Sequence, residues 1–331
     1  MIHKYQVLCL IALAFFFSAC RSENKNLYSD TGPSFSSEDY QRSIQNMFIK
    51  VDSSFVNDSS HIDYFDTLKS FYAKRNYEPL FIIDFENAYS ITPVLYLFSK
   101  AGEHGVEPAV YHLDSIKNEL KKAFQNNPER YSHLANAELL FTDGVLKYSC
   151  HLRYGIVDPL KIFSTSYTLP AVESSKRDIF KPLTVENVFE YLKGLQPKNP
   201  QYKKLQEALK HFNNLDTNNW KPIKSTFRLD LIAERLALLG FFDTTTINTP
   251  INKNDSVFIR AVVNYQIANG MNGDGKLDQP TIDKLNIRPK EYIEKIKLSM
   301  ERMRWTNYSD SSRYILVNIP DFRLHVIENG Q

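Results

Sequence analysis

The chain has 331 residues, enough for two or three domains. It is 43% hydrophobic and 24% charged, an ordinary globular balance. Its net charge is +2, from 40 basic and 38 acidic residues, with no basic patch and no acidic tail, so charge gives no case for nucleic acid as a partner.

The first 20 residues read as a targeting segment. His3 and Lys4 form a short charged start, and Val7 to Phe17 is an uninterrupted apolar run too short to span a bilayer. It ends in Phe17-Ser18-Ala19-Cys20. Small residues before a Cys resemble the bacterial lipobox, whose Cys is lipidated and becomes the mature N-terminus. The alternative is an ordinary signal peptide with an incidental Cys. On the lipobox reading Cys20 is the lipidation site, and the protein is anchored to a membrane rather than spanning it. Residues 21–37, rich in Ser, Asn and Asp, read as a flexible tether. The three cysteines are Cys9, Cys20 and Cys150, so the mature chain has no internal disulfide except through Cys20.

Residues 38–225 read mainly as helices. In His61–Asn76 the residues Ile62, Phe65, Leu68 and Phe71-Tyr72 recur at helical spacing. A second helix follows Glu86, carries Val94, Leu95, Leu97 and Phe98, and stops at Gly105 as a C′ glycine. Asp114 is the expected N-cap of the next helix. Glu138–Tyr154 is a longer one ending at Gly155. Thr184 with Asn187 opens a short helix to Leu195, and Tyr202, Leu205, Leu209 and Phe212 mark another. The 19 Tyr and 22 Phe fit such a helical core better than a row of sugar-stacking platforms.

Residues 226–288 form a separate small module with three expected helices. Leu229, Ile232, Leu236 and Leu239 make one face, closed by Gly240. Asp255 or Ser256 caps a second helix bearing Phe258, Val262 and Tyr265, and Gly270 ends it. Asp274-Gly275 turns, and Asp278 with Pro280 starts a third helix with Ile282 and Leu285. Residues 289–331 begin with a connecting helix, Tyr292–Trp305. Two strands follow, Tyr314–Ile319 and Phe322–Glu328, joined through Pro320-Asp321. Phe322, Leu324 and Val326 share one strand face, opposite Arg323 and His325. Asn329-Gly330 then signals a further hairpin whose third strand is expected and absent.

Three strings, Phe71–Phe81 (FYAKRNYEPLF), Ala101–Tyr111 (AGEHGVEPAVY) and Leu139–Pro159 (LLFTDGVLKYSCHLRYGIVDP), resemble in this order the scaffold domain of the large multidomain L,D-transpeptidases of bacterial envelopes. The 226–288 module resembles the peptidoglycan-binding domain of cell-wall enzymes through Leu239-Gly240, Phe258, Ala261-Val262, Tyr265-Gln266, Gly270, Asp274-Gly275, Thr281 and Leu285-Asn286. It departs from the pattern at Gln279-Pro280, where Gly-Pro is usual. The final stretch resembles the entry to the transpeptidase catalytic domain. The fold class expected is therefore mainly α, with a helical scaffold domain, a small three-helix peptidoglycan-binding-like domain, and an incomplete β-hairpin of a mostly β catalytic domain.

That family transfers acyl groups through a cysteine thiolate, with a His as base and backbone amides holding the oxyanion. The signature, a His followed by Ser/Thr-x-Gly-Cys, is missing, because this sequence contains no Gly-Cys pair. No catalytic residue is carried over. Cys150 sits on a helix stripe with Leu139 and Leu146, and the adjacent His151 lies about 100° round the helix, a poor dyad. His104, His112 and His151 lack metal-ligand spacing. Asn272–Asp278 fails as a calcium loop because Gly270 and Thr281 fall where carboxylates are needed. Asp84 with Glu86, and Glu103 with Glu107, read as solvated faces rather than acid–base pairs.

The expected protein is a cell-wall remodelling lipoprotein, cut short before its catalytic residues, that binds peptidoglycan without catalysis. The alternative is a non-catalytic binding or adaptor lipoprotein of the envelope. The residues expected to touch glycan strands or stem peptides are Tyr265, Gln266, Asp274 and Thr281, with no metal and no cofactor.

Overall fold

A computed structural model of the chain describes residues 35–54, 62–125, 128–163, 172–215, 220–243, 251–305, 313–318 and 323–328. The expected lipidation site, Cys20, and the expected turn at Pro320-Asp321 lie outside the described residues. Among those residues the fold is mainly helical, with twelve α-helices and one two-stranded antiparallel pair. The chain divides into two compact units. One runs to Leu95 and resumes at Tyr111–Lys147; the other takes Tyr96–Val110 and the chain from Tyr148 onward.

In the first unit, α1 (Ser37–Ser54) starts with Glu38 and Asp39, whose charges complement the helix dipole. It buries Tyr40, Ile44, Met47 and Phe48, one face at helical spacing. Helix α2 (Phe65–Lys74) buries Leu68 and Tyr72, and the Phe48 ring lies 5.6 Å from Phe65 and 5.8 Å from Tyr72. The helix expected from Glu86 to Gly105 is broken into a 3₁₀ turn (Asn87–Ile91), α3 (Thr92–Ser99) and a second 3₁₀ turn (Ala101–His104). Pro93 has no N–H to donate backward, so the α-helix starts with Pro93 in its first turn. Asp114 does not cap α4 (Leu113–Ala123). The N-cap is His112, at φ 58°, and Asp114 sits inside the first turn.

Helix α5 (Arg130–Tyr154) begins eight residues before the expected Glu138 and is buried on nearly every side, so its apolar pattern carries little period. Three of its buried polar side chains organise the first unit. The Glu138 carboxylate is 0% exposed and accepts from the N–H groups of Leu80 (2.6 Å), Phe81 (3.1 Å) and Ile82 (2.8 Å) and from the Tyr72 hydroxyl (2.6 Å). Asp143, also 0% exposed, pairs with His112 (2.7 Å) and Lys147 (2.9 Å) and accepts from the Tyr64 N–H (3.0 Å). Burial pushes the Asp143 carboxyl up, but His112 and Lys147 outweigh it and hold it below the ordinary range. The His112–Asp143 contact explains the cap: it holds His112 in a left-handed backbone conformation just ahead of α4.

The second unit contains α6 (Pro159–Phe163), α7 (Val188–Gly194), capped by the Asn187 side chain, and α8 (Pro200–Asn213). It also holds α9 (Leu229–Leu238), α10 (Ser256–Ala268), α11 (Gln279–Leu285) and α12 (Pro289–Trp305). Helices α8 and α12 share a small core of Tyr202, Leu209, Ile296 and Met300. At the end of α12, the Glu301 carboxylate accepts from the N–H groups of Ile156 (2.7 Å) and Val157 (2.9 Å), from the Trp305 indole (2.8 Å) and from Arg304 (2.7 Å). Burial raises its pKa, yet the Val157 N–H and Arg304 leave it below the ordinary value. Gly155, at φ +81°, makes this approach possible: a Cβ there would lie 2.5 Å from Glu301 Oε1. Strands β1 (Arg313–Asn318) and β2 (Arg323–Glu328) pair with Ile315 opposite Val326 and Val317 opposite Leu324, and these four side chains are exposed.

Candidate binding cleft

Residues 220–287 of the second unit enclose a core of Ile232, Leu236, Phe258, Val262, Tyr265 and Leu285, among others. Each buried side chain of this size contributes about 1.5–3 kcal/mol, which suffices for three short helices only because they share one interior. Local chemistry fixes their starts. Asp255 caps α10 by accepting from the Val257 N–H at 2.8 Å, and Asp278 caps α11 by accepting from the Thr281 N–H at 3.0 Å. The segment before α9 is held from two sides. Arg235, 4% exposed, donates to the carbonyls of Leu285 (2.5 Å) and Lys221 (2.9 Å) and stacks 3.5 Å from the Trp220 ring. Burial pulls its pKa down to about 10. The Asn286 side chain closes both backbone hydrogen bonds of Ile223, at 2.8 and 2.9 Å.

The loop between α10 and α11 is braced from inside by Gln266. Its Nε2 donates to the Lys276 carbonyl (2.8 Å) and Thr281 Oγ1 (3.1 Å), and its Oε1 accepts from the Gly275 N–H (2.8 Å). Thr281 in turn donates to Asp278 Oδ1 at 2.6 Å, and this bond holds the Asp278 carboxyl below the usual range. Gly275 has φ +72°, and a Cβ there would stand 2.9 Å from Ile259 Cγ2, so the loop lies closer to α10 than any other residue permits.

Against this braced loop lies an open cleft of about 350 Å³. Phe227, Leu229, Phe258 and Leu277 give it apolar walls, and Lys253 and Lys276 are its charged lining residues among those described. Phe227 is 89% exposed, an aromatic ring presented to solvent at the cleft. Such a site, apolar with a few placed polar groups, is suited to holding a small ligand or one segment of a polymer.

The four residues expected to bind divide unequally. Gln266, Asp274 and Thr281 do meet in one hydrogen-bonded network, but Gln266 is 1% and Thr281 0% exposed, and their polar atoms face the loop itself. Tyr265, 1% exposed, lies edge-on to Phe241 in the core. All three are buried, Gln266 and Thr281 bonded to the loop and Tyr265 in the core, while Asp274 keeps exposed surface, paired with Lys276 at 3.2 Å. Phe227, Lys253 and Lys276 escape sequence reasoning. The one available signal was Phe227 itself, an apolar residue placed ahead of the α9 face. Cys150 is buried. His104 is buried against the Tyr202 hydroxyl at 3.0 Å. Among the described residues no group of three or more His, Cys, Asp or Glu could hold a metal ion, and no helix is long and apolar enough to cross a membrane.

A protein-family model described as a scaffold domain matches residues 66–209. No curated protein matches the chain. The matched segment runs from α2 into α8 and contains all three strings that carry the resemblance noted above. Glu138 and the backbone groups it holds also fall inside it, whereas the cleft lies beyond its end.

Proposed function

We propose that this chain is a peptidoglycan-binding lipoprotein of the bacterial envelope, related in design to the L,D-transpeptidases, and that the cleft of residues 226–277 makes the contact. The observation that carries the reading is this cleft, with an exposed aromatic ring and two lysines on a module whose sequence resembles peptidoglycan-binding domains. The scaffold-domain match immediately upstream supports the same reading. Peptidoglycan offers sugar faces and peptides, and an exposed ring on an apolar wall suits either. No transpeptidase step is assigned to any of the 331 residues, since they include no Gly-Cys pair. Anchoring rests on Cys20, and Cys20→Ala is expected to release the protein from membranes or block its processing.

The test is a pull-down of the full chain on purified sacculi. The parent protein is expected to co-sediment, and Phe227→Ala to lose most of the bound fraction with unchanged helicity. Equal retention of the two would remove the cleft from the reading. No retention of the parent would end it.

A further inference from the structure

Resting on that reading, we infer that the cleft recognises the carboxylate-bearing peptide of the polymer rather than its neutral sugar chain, with Lys253 as the principal reader. The lining set decides between the two. A neutral sugar is held by side chains that both donate and accept, and among the described residues Thr226 supplies the only neutral polar side chain in the lining. The charged lining residues among the described ones, Lys253 and Lys276, are both cations. Both lysines are exposed at an open cleft, so each offers a carboxylate a screened, salt-dependent attraction.

The two lysines are not equivalent. Lys276 Nζ lies 3.2 Å from Asp274 Oδ2, and the other oxygen of that carboxylate accepts from the Lys276 N–H at 2.9 Å. Its charge is already partly matched. Lys253 stands exposed in the turn before α10 and has no carboxylate partner among the described residues. The carboxylate nearest in sequence, Asp255, is committed to the N–H of Val257. Lys253 is thus the cation of the cleft left to meet a ligand carboxylate, while Phe227, Leu229 and Leu277 offer surface to aliphatic side chains of the same peptide.

The experiment titrates the full chain with three soluble probes: a stem tetrapeptide with free carboxylates, its fully amidated counterpart, and the neutral sugar chitotetraose. Sacculus binding is measured in parallel. The free-acid peptide is expected to bind, with affinity falling as salt rises. Amidation and Lys253→Ala should each weaken it about fivefold, and Lys276→Ala only about twofold, as befits exposed charge contacts of unequal pairing. A second variant, Lys253→Arg, should restore binding. Sacculus binding that chitotetraose competes for, and that neither amidation nor Lys253→Ala changes, overturns this inference and leaves the general reading standing. A parent chain that binds neither sacculi nor peptide overturns both.

Discussion

Replacing Glu138 with alanine removes the acceptor for three consecutive backbone N–H groups, those of Leu80, Phe81 and Ile82, and for the Tyr72 hydroxyl. Each buried donor left without a partner costs about 1–3 kcal/mol. The Ile82 N–H is fully buried and bears that in full, Leu80 and Phe81 are half-buried and recover part of it from water, and the Tyr72 hydroxyl keeps Thr142 Oγ1 as a partner at 2.9 Å. The expected loss is about 4 kcal/mol, from one donor stranded in full and two in part. Glu138→Gln keeps the shape but turns an NH₂ group toward a backbone N–H, so about 2 kcal/mol is expected. Both tryptophans, Trp220 and Trp305, belong to the second unit, so their fluorescence does not report the site. Hydrogen exchange of a peptide spanning Leu80–Ile82 does, alongside urea melts followed by near-ultraviolet tyrosine dichroism. The alanine variant should exchange these amides about 10³-fold faster, the glutamine variant about 30-fold. Exchange unchanged in both variants, with stability within about 0.5 kcal/mol of the parent, would refute the claim that this carboxylate holds the loop.

Gly155→Ala should cost about 2–4 kcal/mol in a urea melt followed by tryptophan fluorescence, because the new Cβ meets Glu301 and Trp305 at φ +81°; a loss below about 1 kcal/mol would count against it. His104 is held down to about 4 by burial and then by Arg304, against an ordinary value of 6.5. Between those pH values the unfolded chain takes up a proton that the folded chain refuses. The stability fully present above 6.5 is therefore lost as pH falls toward 4, by up to about 3 kcal/mol. His104→Gln should flatten the melting profile over that window, and an unchanged slope would dismiss this residue as its source. Gln266→Leu should leave helicity intact but speed exchange at Gly275 and weaken sacculus binding, since the loop loses its internal brace; protection equal to the parent's would show that the loop stands without it.

Sequence alone determined whatever depends on neighbours within a turn or two. Asn187, Asp255 and Asp278 are legible caps because each accepts from an N–H two or three residues ahead. Gly105, Gly155, Gly240 and Gly270 are legible ends because only glycine enters the positive-φ region freely. The faces of α8 and α10 follow from the 3.6-residue period. The tertiary structure decided the rest. Helix α5 hides its start because it is buried all round, and His112 displaces Asp114 as a cap through a contact with Asp143, 31 residues away. Glu138 looks in sequence like any helical glutamate until it meets a loop 56 to 58 residues distant. Gln266 and Thr281 read as binding groups because they are polar, and the fold turns them inward, where they bond to the loop. Lys253 and Lys276 carry no local pattern, and Phe227 shows only as an apolar residue ahead of the α9 face. They share a cleft only because the core beneath draws three separate segments together, and no periodicity along the chain records such a meeting.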